Sequence, residues 1–374
     1  MGRGIPQITN YKSTDWVYLD VDPLGGSPST RATPVSNFFG NIPVDVNIGT
    51  PGLSGVEIRI GADNANNTLI GIDAGKDITS GTSHTLVGVE AGSSITTGTS
   101  NTVLGRRALT TGTTASYNIA IGYLALRRAV GANSNVAIGN EALMTTVASG
   151  NNVAVGIRTL TLLTTGIDNT AIGSEVLKTA TTGDINTGVG SGALAGITIG
   201  YHNTAVGANA LGVATTSNCC AIFGTNAAGD VTEANVLTIF GTAAGRSLTT
   251  ASANVIFGYE ALHEATTGYN NTVIGYRAGY LGNTIGNVYL GYYAGYYETG
   301  DNKFFVDNLD RTTEALARTN SLMYGIFAVA PANQYLTVNA NLILPETPAF
   351  VAGDKYLVVD AAGNVHVSAI GPAS

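Results

Sequence analysis

A glycine recurs every 17 residues through most of this chain. It stands at 71, 88, 105, 122, 139, 156, 173, 190, 207, 224, 241, 258 and 275, with one further copy 16 residues on, at 291. Fourteen glycines in one register leave few folds open. A fixed period near twenty residues marks a solenoid: each repeat is one unit that cannot bury its apolar side alone, so units must stack.

With that glycine as position 0, the residue before it is large and apolar in all fourteen copies, from Ile70 and Val87 to Ile274 and Leu290. Three before it, thirteen of fourteen are Thr, Val or Ile, Ala221 being the exception. This is strand chemistry, and positions −3 and −1 share one face because side chains alternate. Position −2 lies on the other face, where a solvated sheet would be polar. It is instead Leu, Val, Ile, Ala, Gly or Tyr and never charged. A strand apolar on both faces is covered on both. A single 17-residue coil is too small to cover both, so one face fills the coil and the other meets further chains. The small residues mid-rod, Ala120, Ala137, Ala154, Ala171, Gly188 and Ala205, are expected in the seam between chains, where they would let backbones approach closely.

Position −4 is Asn in eleven copies, with His84, Cys220 and Leu237 the exceptions, and stacked Asn can form hydrogen-bonded ladders. Position +3 is Ala in twelve and +4 is Leu in eight and Gly in five, read as a second short strand or a tight corner. Charges at +2 alternate from coil to coil: Glu90 with Arg107, Glu141 with Arg158 and Glu175, Glu260 with Arg277. The expected fold is an all-β, parallel β-solenoid of the β-roll kind, about fourteen coils over 56–300. It is flanked by an N-terminal segment at 1–55 and a β-rich C-terminal domain at 301–374. In the latter, 334–344 reads as a strand and 355–369 as a hairpin around Gly363. No long helix is expected.

Composition narrows function. Of 374 residues 49 are Gly and only 11% are charged, which suits thin stacked layers rather than a bulky core. The net charge of −8 comes without a basic block, so phosphate-neutralising contact with nucleic acid is not expected. No apolar run is long enough for a membrane-spanning helix, and the start carries no apolar stretch like a secretory signal. The only cysteines, Cys219 and Cys220, are adjacent and make neither a disulfide framework nor a zinc site; both read as small buried residues. His84, His202, His263 and His366 fall in unrelated slots and read as surface or turn residues. Neither catalytic residues, cofactor nor metal site is expected, and paired carboxylates for glycoside hydrolysis share no evident cleft.

The phrase N-T-A-[IV]-G-x-x-A-L, as in 203–211 "NTAVGANAL", resembles the head repeats of trimeric autotransporter adhesins. Those heads are left-handed parallel β-rolls shared by three chains. It also resembles the repeat rods of phage tail fibres and similar virion appendages. Copies there, similar to 266–280 "TTGYNNTVIGYRAGY", precede segments similar to 300–315 and 321–339. That coupling points to the phage group. The resemblance implies a homotrimer in a virion, made in the host cytoplasm, with the N-terminal end docked on other virion proteins. Trp16, Phe38 and Phe39 are the candidate docking residues. An adhesin of that kind is expected to carry a coiled-coil stalk and a membrane barrel, and many such fibres a self-cleaving chaperone; none of these patterns is read in residues 1–374.

One feature exceeds scaffold. Nine of the seventeen tyrosines lie between 259 and 297. Tyr276, Tyr280, Tyr292, Tyr293, Tyr296 and Tyr297 are candidate contacts to a host-surface glycan or protein, since tyrosine pairs an apolar face with a polar tip. The competing reading is an aromatic-filled neck where the roll meets the C-terminal domain. The functional expectation is a structural fibre with a role in attachment. The alternatives are a bacterial surface adhesin, a polysaccharide depolymerase, and an ice-binding surface, the last disfavoured because Thr at −3 shares the face of the −1 residue, expected to be buried, and is often replaced by Val or Ile.

Overall fold

The computed structural model describes residues 46–48, 56–60, 66–340, 355–359 and 365–369. Trp16, Phe38 and Phe39 lie outside the described residues. From Thr68 to Leu290 the chain winds as a parallel β-solenoid. Fourteen three-residue strands, each at positions −3 to −1, pair in register with the strand one coil on. Thr187, Gly188 and Val189 thus face Thr204, Ala205 and Val206. Three coils carry a second short ladder, Glu233–Asn235, Thr250–Ser252 and Thr267–Tyr269.

The corners follow from backbone conformation. Positions −5, +2 and +4 have positive φ in every one of the fourteen coils, as at Ser100, Arg107 and Leu109. A left-handed residue other than glycine costs about 1–2 kcal/mol. Hydrogen bonds along the rod offset that cost: Arg107 N donates to Val89 O of the coil before, and Leu109 N to Ala125 O of the coil after. Positions +3 and +4 therefore form a corner, not a second strand. At position 0 glycine is needed twice over. Gly71 has φ +128°, and a Cβ there would lie 2.6 Å from the Gly88 carbonyl oxygen of the next coil.

The two faces are the reverse of the sequence expectation. Position −2 points into the coil: Ala120, Ala137, Ala154, Ala171 and Ala205 are fully buried within the single chain, and Gly188 is buried with them. They cannot form a seam between chains. Their small size reflects a thin interior, which they share with the Ala row at +3 and the Leu row at +4. Positions −3 and −1 face outward. Leu104, Ile138, Ile172 and Ile274 are 36–49% exposed, and Phe223, Phe240 and Phe257 stack along the rod at 4.4 and 4.8 Å.

Interior volume is shared between −2 and +4. At six of the eight coils with Leu at +4, Leu126, Leu143, Leu160, Leu177, Leu194 and Leu211, position −2 is Ala or Gly, the other two pairing Leu109 with Val103 and Leu262 with Ile256. Where +4 is Gly, position −2 is large: Leu69, Leu86, Ile239, Val273, Tyr289. A Cβ on Gly92 would sit 2.9 Å from Leu86 Cδ1, and one on Gly279 2.7 Å from the Tyr289 ring.

The Asn ladder at −4 is present and buried. Asn152 Oδ1 accepts from both the backbone N and Nδ2 of Asn169, at 3.0 and 3.1 Å. Its Nδ2 donates to the carbonyls of Gly150 and Gly166. His84 does not lie at the surface. It is 1% exposed and imitates the amide, with Nε2 on Gly98 O at 2.9 Å and Nδ1 accepting from Asn101 N at 3.2 Å. Burial, the largest influence, holds its pKa below the ordinary value. Cys220 is buried in the same slot, its thiol pushed up to about 11 by that burial, whereas Cys219 is exposed.

Both ends of the ladder are closed by antiparallel strands. Val56–Ile60 caps the first coil strand and pairs in turn with Val46–Ile48, so 56–60 is a cap rather than a coil. At the other end Lys303–Val306 adds a fifteenth parallel strand with Phe305 buried in the −2 row, across the boundary expected at 300. The sequence pattern hid it because Asp307 stands in the glycine position and Lys303 in that of Asn. Met323–Ile326 and Tyr335–Val338 then close the sheet antiparallel. A short helix α1, Glu314–Asn320, has Thr313 as its N-cap. Its Arg318 forks onto the fully buried Glu298 carboxylate at 2.8 and 2.6 Å. Lys355–Val359 and Val365–Ala369 form the expected hairpin.

Candidate binding surface

The tyrosine-rich coils place their rings on the outside. Only Tyr289, with Phe305, fills the interior. The neck reading therefore holds for this pair alone, and the other rings form a surface. In-register coils turn sequence slots into columns. Tyr259, Tyr276 and Tyr292 share slot +1 and stack at 5.3 and 5.4 Å, with 38–44% exposure. His263, Tyr280 and Tyr296 share slot +5 and stack at 5.2 and 4.8 Å, nearly parallel. Tyr293 bridges the columns, 4.8 Å from Tyr296 and 4.5 Å from Tyr292, and Tyr297 flanks Tyr296 at 4.6 Å. All six candidate residues thus belong to one continuous aromatic surface.

The charges there are fixed by pairing. Arg277 lies 5.4 Å from both the Tyr276 and Tyr280 rings, donates to Tyr293 Oη at 3.1 Å and pairs with Glu260 at 2.6 Å. The contacts to Tyr293 and Glu260 push its pKa up, so it stays a cation. Partial desolvation raises the Glu260 carboxyl, but hydrogen bonds from Tyr259 and Arg277 outweigh it and leave the group below its usual range. Desolvation, then Glu264, raises Tyr280, and desolvation raises Tyr296. Both phenols keep their protons at neutral pH. With the ring faces largely stacked on one another, the surface offers apolar ring edges, hydroxyl tips and one oriented guanidinium.

The expected charge ladders occur at Glu90–Arg107, 2.7 Å, and Glu260–Arg277. Of Glu141, Arg158 and Glu175, the last two pair with each other, and Lys178 joins Glu175 at 3.2 Å.

Two hollows were not legible in the sequence. One, of about 240 Å³, lies where slot +5 is Gly212 and Gly229, between Asn209 and Asn226 on one side and Asp230 and Arg246 on the other. The other, of about 460 Å³, lies over Gly325 between Phe304 and Leu336, at the capped end of the outward apolar face. Among the described residues no cluster of three His, Cys, Asp or Glu could hold a metal ion, and no helix is long and apolar enough to cross a membrane. No family model matches the chain, and neither does any curated protein or solved structure.

Proposed function

We propose that this protein is a structural fibre of a phage virion, assembled from three copies through the outward −3/−1 face, with its tyrosine surface engaging the host. One observation carries the reading: the outward face is apolar or Thr along all fourteen coils and stays unburied in a single chain. Coils about 4.8 Å apart and a two-residue repeat of about 6.8 Å give a flat footprint of about 450 Å². That is as large as the largest apolar patch of an ordinary monomer, and it is a straight stripe rather than a scattered patch. Stacked Phe223, Phe240 and Phe257 and the hollow over Gly325 extend the same seam. Three is the copy number that the resemblance to adhesin heads and tail fibres implies.

The test separates the two faces. Ile138→Glu with Ile172→Glu places charges in the seam and is expected to give a folded monomer, whereas wild type scatters light as three chains. Ala137→Glu buries a charge inside the coil and is expected to lose β-structure itself. A monomeric wild type would overturn the assembly. Antibodies to the chain should decorate purified phage particles, and decoration of a bacterial surface alone would select the adhesin reading.

A further inference from the structure

The hollow over Gly212 and Gly229 and the tyrosine surface lie on the same two columns of the solenoid. Slots +2 and +5 adjoin across each coil: Arg277 at +2 lies 5.4 Å from the Tyr280 ring at +5, and Tyr293 at +2 stacks on Tyr296 at +5. The hollow is bounded by the same slots two to four coils before that of Gly275, Asn209 and Asn226 at +2 and Gly212, Gly229 and Arg246 at +5. Slot +5 then runs without a break from Gly212 through Gly229, Arg246 and His263 to Tyr280 and Tyr296. Along this column a trough floored by glycine is followed, past Arg246 and His263, by the tyrosine rings.

We propose that this face binds an uncharged linear polysaccharide, laid along the rod from the glycine trough to the tyrosine rings. The proposal rests on the attachment reading above and names its ligand class. From the coil of Gly190 to that of Gly291 are six steps of about 4.8 Å, a straight track of about 29 Å. Sugar rings present apolar C–H patches, which the outward edges of half-buried Tyr280 and Tyr296 and of exposed Tyr292 can meet, and hydroxyls, which the phenols and the Asn209 and Asn226 amides can both donate to and accept from. Asn226 Oδ1 already accepts from Asn209 Nδ2 at 3.3 Å, which orients the pair along the trough. The charges along the track are mixed and lean acidic, Asp230, Arg246, Glu260, Glu264 and Arg277, so no positive field is available for a polyanion. The glycine slot itself admits side chains, since Ala195 and Arg246 occupy it in neighbouring coils.

The test uses the whole chain on an array of purified uncharged linear glucans, mannans, galactans and N-acetylhexosamine polymers, with hyaluronan and heparin beside them. Wild type is expected to retain at least one uncharged polymer, insensitively to salt, and more tightly as chain length grows towards the track length. Gly212→Arg with Gly229→Arg fills the trough and should weaken the long polymer about tenfold or more while sparing its trisaccharide. Tyr280→Ala with Tyr296→Ala should weaken both. Circular dichroism and mass must stay unchanged in each variant. If the trough variant retains the polymer as wild type does and the tyrosine variant does not, the extended track is wrong and the tyrosine attachment surface stands. Retention of no uncharged polymer, or of the polyanions alone, refutes the proposal.

Discussion

Exchanging volume between positions −2 and +4 gives the sharpest test of how the coil is filled. Leu86 is fully buried and touches the space above Gly92, whose φ is +58°. Leu86→Ala alone opens a cavity and should cost about 2–5 kcal/mol. Gly92→Leu alone adds a side chain whose Cβ would already lie 2.9 Å from Leu86 Cδ1 and 2.8 Å from Ile95 Cδ1. Overpacking contributes about 1–3 kcal/mol and the left-handed backbone a further 1–2, together about 2–5 kcal/mol. Independent sites would give a double variant worse by about 4–10 kcal/mol, the sum of the two. If the two positions share one space, the double variant recreates the Ala154/Leu160 arrangement used mid-rod, where Leu163 stands in the slot of Ile95. Little then remains beyond the backbone term and residual void, about 2–3 kcal/mol. The favourable coupling is therefore about 2 kcal/mol or more. Urea midpoints by circular dichroism measure it, at fixed protein concentration because repeat arrays and oligomers do not unfold as two-state monomers. Additivity of the two changes within about 0.5 kcal/mol would refute the shared-volume account.

Asn152→Leu leaves the Asn169 N–H and the Gly166 carbonyl without their side-chain partner, and should destabilise by about 2–6 kcal/mol, read as a lower urea midpoint. His84 has a folded pKa below 6.5, so its neutral form is required by the fold. Its contribution is complete above that value and is lost as pH falls towards the folded pKa. Melting temperature should therefore drop between pH 7.5 and 5 by more in wild type than in His84→Asn, which restores the amide ladder. Arg318→Ala strands the fully buried Glu298 carboxylate and should cost about 3–5 kcal/mol, with hydrogen exchange rising first in α1 and in Lys303–Val306.

The repeat, the strand at −3 to −1, the glycine at each bend, the Asn ladder and the clustering of tyrosines were all legible in the order of residues. Each is a one-dimensional pattern that in-register stacking preserves, because every residue's neighbour one coil on is the residue 17 later. Tertiary structure alone decided which face is inside. Alternation gives two faces, and only the left-handed corners at −5, +2 and +4 fix which way the chain closes, so Ala137 is enclosed and Ile138 is left outward. The same closure brings −2 against +4 and makes their sizes complementary, a correlation present in the sequence but without meaning until the two slots are known to touch. It also lets His84 take the place of an amide and Asp307 that of a glycine, since a slot selects hydrogen-bonding and backbone geometry rather than residue identity. The candidate site divides in the same way. The tyrosines were legible as a cluster. The trough at Gly212 and Gly229 was not, because a missing side chain becomes a feature only once its neighbours in adjacent columns stand up around it.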